Sequence, residues 1–144
     1  MKHKIDDYCA RALLIGEPWV GKILAGRKTW EMRKRLTRIR GTVGLIRIGS
    51  GLVVGTADLV DCIDRLTDDT FAASVARHGI ETDEHASRIS EGYLWPWVLT
   101  NARRLSRPVP YGHKSQQIWV TLSDDVAASI TAQGHALRST SIRS

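Results

Sequence analysis

The chain has 144 residues, 42% of them hydrophobic and 25% charged, with a formal net charge of +6. That length suits one domain with a core of its own, needing neither a disulfide framework nor a structural metal. No apolar run approaches the roughly 20 residues of a membrane helix, and Met1 to Tyr8 are charged where a secretory leader is apolar. A cytoplasmic location is therefore expected.

Ala12 to Ile15 form an apolar run that reads as a strand, broken by Gly16-Glu17-Pro18. Pro18 suits the first position of a helix, where its missing N–H costs nothing. Trp19, Val20, Ile23 and Leu24 follow at helical spacing, and Gly26 is placed to end that helix in a left-handed turn. From Lys28 to Arg33 the pattern alternates, predicting a strand with Thr29, Glu31 and Arg33 on one face and Trp30 and Met32 on the other. Thr42–Ile48 and Leu52–Ile63 are rich in β-branched residues and joined by Gly49-Ser50-Gly51, the signature of a hairpin.

Thr67 to His78 reads as a helix capped by Thr67 or Asp68 and stopped by Gly79. Thr82 to Glu91 predicts a more polar one. Leu94–Leu105 holds a strand around Trp97, Val98 and Leu99, and Gln117–Leu122 supplies the last. Ser123 then caps a helix containing Val126, Ala127 and Ile130. Residues 1–134 are expected to form one domain, with 135–144 a flexible tail. Many short strands with a few helices between them predict an α+β barrel, not a doubly wound parallel sheet.

The basic charge is clustered. Lys22 to Arg47 carry nine Lys or Arg against one acid, Glu31, whereas Asp58 to Glu91 carry nine acids against three arginines. Asn101 to Gln116 turn basic again through Arg103, Arg104, Arg107 and Lys114. One face of such a molecule is suited to phosphates. Cys9 and Cys62 are isolated, and the five histidines show no zinc spacing, so neither a metal nor another cofactor is expected. No phosphate-binding glycine loop is present. By their settings Trp19, Trp30 and Trp119 belong to the core, while Trp95 and Trp97 alternate around Pro96 and one of them is a candidate base-stacking platform.

The densest chemistry lies in Pro18-Trp19, the helix to Gly26, then Lys28, Glu31 and Arg33. On spacing alone, Glu31 reads first as an ion-pair partner of Lys28 or Arg33 and second as a general base. Pro-Trp, a short helix, Gly-x-Lys and Glu-x-Arg together resemble the opening of ASCH domains. Arg40-Gly41 before an apolar strand, Gly55 to Asp61, and Pro108-Val109-Pro110 with Gly112 and Gln117-Ile118-Trp119 resemble its later pieces, in order, over about residues 12 to 122. The resemblance implies a PUA-like small β-barrel with flanking helices and a basic cleft for RNA or a nucleotide-like ligand. In it Gly26, Lys28, Glu31 and Arg33 border the cleft.

Tyr111, His113 and Lys114 are candidates for the opposite wall, and Arg35 for phosphate contact, with Arg38 and Arg40 extending the track. The alternative is a hydrolase in the same cleft, a ribonuclease or an amidohydrolase on a modified nucleoside, with Lys28 and Glu31 catalytic. Some small bacterial ASCH proteins are amidohydrolases on acylated cytidine, using a Lys, a Thr three residues later and a distant Glu. Here Glu31 stands where that Thr would be, leaving Thr29 as the only nearby hydroxyl, and Glu81 and Glu84 as candidates for the distant Glu. The sequence does not fix the oligomeric state, and a monomer is the working expectation.

Overall fold

The computed structural model describes residues 9–112 and 117–143, with side chains through Gly134. In chain order the strands are β1 (Arg11–Ile15), β2 (Trp30–Arg33), β3 (Gly41–Arg47), β4 (Leu52–Cys62), β5 (Trp95–Pro110) and β6 (Trp119–Thr121). The helices are α1 (Trp19–Leu24), α2 (Asp68–Ala73), α3 (Val75–His78), α4 (His85–Ser90) and α5 (Asp124–Arg143). The strands form one mixed sheet in the order β2-β5-β4-β3-β1-β6, curled into a half-barrel with the helices on its flanks. The α+β expectation holds. Among the described residues no helix is long and apolar enough to cross a membrane.

Strand β1 pairs parallel to β3, from Ala12 opposite Gly44 to Ile15 opposite Arg47, and antiparallel to β6. Its residues are apolar without alternation because both sheet faces are covered. Ala12 and Leu14 join Ile46, Val53, Val120 and Ile130 on the face that α5 covers. Leu13 and Ile15 join Val43, Leu45 and Leu59 on the other, beneath Val20 and Ile23 of α1. A third cluster, with Trp30, Met32, Phe71, Ile80 and Leu94, packs the β2 end of the sheet against the segment from α2 to α4.

Three elements differ from the sequence reading for visible reasons. The helix expected over Thr67–His78 breaks at Ser74, whose hydroxyl donates to the Thr70 carbonyl at 2.6 Å and competes with the helical ladder. Its start is as read: Thr67 and Thr70 cap each other reciprocally, worth about 1 kcal/mol. The segment from Thr82 opens as a 3-10 turn and becomes helical at His85. Strand β5 runs 16 residues, to Pro110, beyond the Leu94–Leu105 stretch expected to hold it.

Helix α1 begins at Trp19, so Pro18 sits one position earlier than expected, joined to Glu17 by a cis peptide. The Glu17 carboxylate accepts the Gly21 N–H at 2.9 Å and supplies the missing cap. Gly26 does adopt the left-handed conformation, with φ of 79°.

Gly55 of β4 has another reason to be glycine. A methyl there would lie 2.5 Å from Leu24 Cδ2 and 2.6 Å from the Arg103 carbonyl oxygen. The pairing of β4 with β5 jumps at this point, from Val53–Val109 to Gly55–Arg104, so β5 bends across a bare backbone.

Candidate functional site

Among the described residues the edge strand β2 pairs only with β5, Glu31 opposite Trp97 and Arg33 opposite Trp95. Strand alternation sends Trp30 and Met32 into the third core cluster and Glu31 and Arg33 to the other face. Glu31 Oε2 accepts two hydrogen bonds from Arg33, Nη2 at 2.8 Å and Nε at 3.1 Å. Arg33 Nη2 also donates to the Leu14 carbonyl at 2.9 Å, tying β2 to the end of β1.

Lys28 completes the cluster. Its Nζ donates to the His78 carbonyl at 2.6 Å and lies 3.5 Å from Glu31 Oε1, with its side chain only 1% exposed. Burial pushes its pKa down from 10.5 to about 8, while Glu31 pulls it back up. One carboxylate thus holds two cations in a largely dry setting, one close and one at longer range.

This cluster floors a cleft of about 250 Å³ whose walls include Trp19, Tyr93 and Arg88. Lys28 Nζ lies over the Trp19 ring at 5.2 Å, and the Arg88 guanidinium lies over Trp19 at 5.4 Å and over Tyr93 at 5.2 Å. Arg88 is held from outside by Glu84 at 3.7 Å. The cleft therefore offers two aromatic rings bridged by the Arg88 guanidinium, an excess of positive charge and one carboxylate.

The turn after α3 fixes the lysines. Gly79 adopts a left-handed φ of 66°, turning two successive carbonyls toward α1 and β2. Lys22 Nζ takes that of Gly79 at 2.6 Å, and Lys28 takes that of His78. His78 is fully buried, with Nδ1 accepting the Ile80 N–H at 3.0 Å, so Nε2 is the donor to the Phe71 carbonyl at 2.7 Å.

Burial lowers the His78 pKa below 6.5, and Lys28 and His85 lower it further against the opposing bond to Phe71. The folded chain thus resists a proton that the unfolded chain accepts, so stability is complete above pH 6.5 and declines as pH falls below it. The unfolding midpoint is expected to fall as pH drops below 6.5. A His78→Gln variant should lack that share of the decline when both are melted across the range.

A model of the ASCH domain family matches residues 13–109, more than half of the chain. The chain belongs to the ASCH domain family. Among solved structures it is similar to the ASCH protein of Zymomonas mobilis, with TM-score 0.70 and 12% identity, covering 88% of this chain and 96% of that one. A tyrosine-to-phenylalanine variant of the same Zymomonas protein matches with TM-score 0.67 and 15% identity, over 85% and 96% of the two chains. A serine-to-alanine variant gives 0.68 and 15%, over 89% and 98%. These likenesses establish the PUA-like fold. No curated protein sequence matches the chain.

In this ASCH domain Lys28, Glu31 and Arg33 lie together and line the cleft. Gly26 lies in the exposed turn beside them, with nothing within 4 Å of where a side chain would start. Arg35 is exposed outside the cleft, and its carbonyl accepts the Trp97 indole N–H at 2.8 Å. Tyr111 packs in the core cluster beside Cys9 and Leu122. His113 and Lys114 lie outside the described residues.

Thr29 is exposed and precedes β2, so Lys28 takes the place expected for it beside Glu31. Glu81 pairs with Lys22 at 3.4 Å and Glu84 with Arg88. Trp97 is buried and stacks on Trp119 at 5.8 Å, leaving it no free face for a base on that side. Sequence reading placed Trp19 in the core and did not single out Arg88 or Tyr93 as cleft residues. Only the folding of α4 against α1 brings these three together, and no local pattern signals it.

Proposed function

We propose that this ASCH domain binds single-stranded RNA, seating one base in the cleft against the platform that Trp19, Arg88 and Tyr93 form, with its flanking phosphates on Arg33 and Arg88 above the buried charge of Lys28. The observation that carries the reading is the Lys28–Glu31–Arg33 cluster beneath Trp19 and Tyr93. Stacking on such rings contributes about 1–3 kcal/mol per base. Among the described residues Glu31 Oε1 has only the 3.5 Å contact with Lys28, which leaves it capacity to accept the exocyclic amino group of cytosine or adenine. The excess cations supply salt-dependent attraction to phosphate.

The test is a titration of labelled single-stranded RNA against wild-type protein and Lys28→Met at two salt concentrations, with gel analysis of the RNA afterwards. Met fills the lysine's volume without its charge and Glu31 keeps Arg33 as its counter-charge, so a folded protein is expected, checked by its unfolding midpoint. Affinity is expected to fall with salt and to drop by about tenfold in the variant, the worth of one charge-assisted contact. Equal affinity in the two proteins would sink the reading.

One observation favours a hydrolase in the same cleft: a pKa of about 8 leaves part of Lys28 neutral near physiological pH, as a general base requires. RNA shortened by the wild type but not by Lys28→Met, faster as pH rises through about 8, would identify a ribonuclease. The amidohydrolase reading is weaker, because Thr29 is exposed and does not line the cleft. The free thiols of Cys9 and Cys62 accord with a reducing cytoplasm.

A further inference from the structure

The cleft is not the only cavity among the described residues. A notch of about 180 Å³ is lined by Arg11, Arg40, Gly41 and Thr42 among others. It lies where β1 and β3 begin, whereas the cleft lies where they end, at Leu14, Gly16 and Ile48. The seven residues of β3 separate the two by roughly 20 Å.

The segment from Lys34 to Arg40 runs from the cleft to the notch. Lys34, Arg35 and Arg38 are exposed and have no acidic partner among the described residues, and Arg40 reaches Asp61 only at 3.9 Å. Its backbone is nevertheless pinned. Trp97 donates to the Arg35 carbonyl, Thr37 Oγ1 accepts the Ile39 N–H at 3.1 Å, and Arg40 Nη1 donates to the carbonyls of Thr37 and Ile39 at 2.9 and 2.8 Å. Ile39 packs into the core beneath. A ridge of cations with no acidic partner closer than 3.9 Å among the described residues, on a fixed backbone, leaves only side-chain ordering to oppose the contact.

We propose that this ridge and the notch at its end form a second, phosphate-binding subsite, which holds the backbone of the RNA strand whose base occupies the cleft. The proposal rests on the cleft reading for the identity of the ligand. It adds a length requirement: a strand must span roughly four nucleotides or more, the lower end of what small single-strand-binding barrels cover. It also adds a salt signature, since each phosphate neutralised on a single strand contributes about −0.7 to the slope of log affinity against log salt.

The experiment measures binding of cytidine monophosphate and of a mixed-sequence RNA octamer across a salt series, for wild type and for Arg11→Gln/Arg38→Gln. Both substituted residues are exposed and lie outside the cleft, so an unchanged unfolding midpoint is expected. The octamer should bind more tightly than the mononucleotide. Its slope should lose about 1.4 in the double variant, two contacts' worth, while mononucleotide affinity stays the same. An octamer no tighter than the mononucleotide, or a slope that the double variant leaves intact, overturns the second subsite and spares the cleft. Variant-sensitive octamer binding without mononucleotide binding supports the subsite and overturns the cleft reading. Absence of binding by both ligands overturns the two together.

Discussion

Replacing Glu31 with Gln is expected to lower the unfolding midpoint by about 10 °C at pH 7, far more than an ordinary surface substitution. Gln keeps the shape of the side chain and removes its charge. Lys28 and Arg33, with side chains 1% and 13% exposed, are then left as like charges in a poorly solvated pocket. Stripping a buried ion pair of its partner costs about 3–5 kcal/mol, and each kcal/mol moves the midpoint of a chain this size by about 2–4 °C.

The cost has a definite pH dependence. Lys28 loses its proton in the folded state near pH 8 and in the unfolded chain near 10.5. Above pH 8 Glu31 has one buried cation to neutralise instead of two, so the penalty of Glu31→Gln should shrink as pH rises through that value. Melting curves at pH 7 and pH 9 check both parts. Equal midpoints for variant and wild type at pH 7 would remove Glu31 as the counter-charge of the site.

Gly55→Ala is expected to be nearly as damaging, by a route that involves no charge. The new methyl meets a backbone oxygen at 2.6 Å, and backbone cannot rotate away as a side-chain end can. Leu24 Cδ2, at 2.5 Å, must also retreat, carrying the end of α1 with it. Overpacking of this kind costs about 1–3 kcal/mol and more where backbone must move, so a loss of about 3 kcal/mol is expected. Because α1 carries Trp19 and leads into Lys28, the RNA affinity proposed for the cleft should fall along with stability. Gly16→Ala is the control for stability: its methyl meets Ile48 Cδ1 at an ordinary 3.8 Å and should leave the midpoint near that of the wild type. A Gly55→Ala protein as stable as Gly16→Ala would show that β5 is not held at this bend by the bare backbone.

The strands around Leu13, Leu45 and Val54 were legible because β-branched and apolar runs between glycine turns have few other uses. The motif from Trp19 to Arg33 was legible because its chemistry is packed into two adjacent elements. What escaped the sequence were features set at a distance. The full extent of β5 depends on partners that make no use of its proline nitrogens, and the break at Ser74 depends on one hydroxyl. The cleft walls Arg88 and Tyr93 come from a segment that reads as a plain polar helix followed by a turn. Trp19 looked like core because amphipathic spacing cannot distinguish a ring that seals a core from one that also walls a cleft.

Strand β1 is flanked by β3 on one side and β6 on the other, so it emerges from the ribosome before either neighbour exists. Its parallel neighbour arrives some thirty residues later, and its antiparallel one only with residues 119–121. Pairings so distant along the chain are slow to close, because loop entropy is lost before any contact rewards it. Until β6 docks, an apolar strand with an open edge is available to other chains. Synthesis halted before residue 119 would thus leave Ala12–Ile15 as the segment through which unfinished copies aggregate.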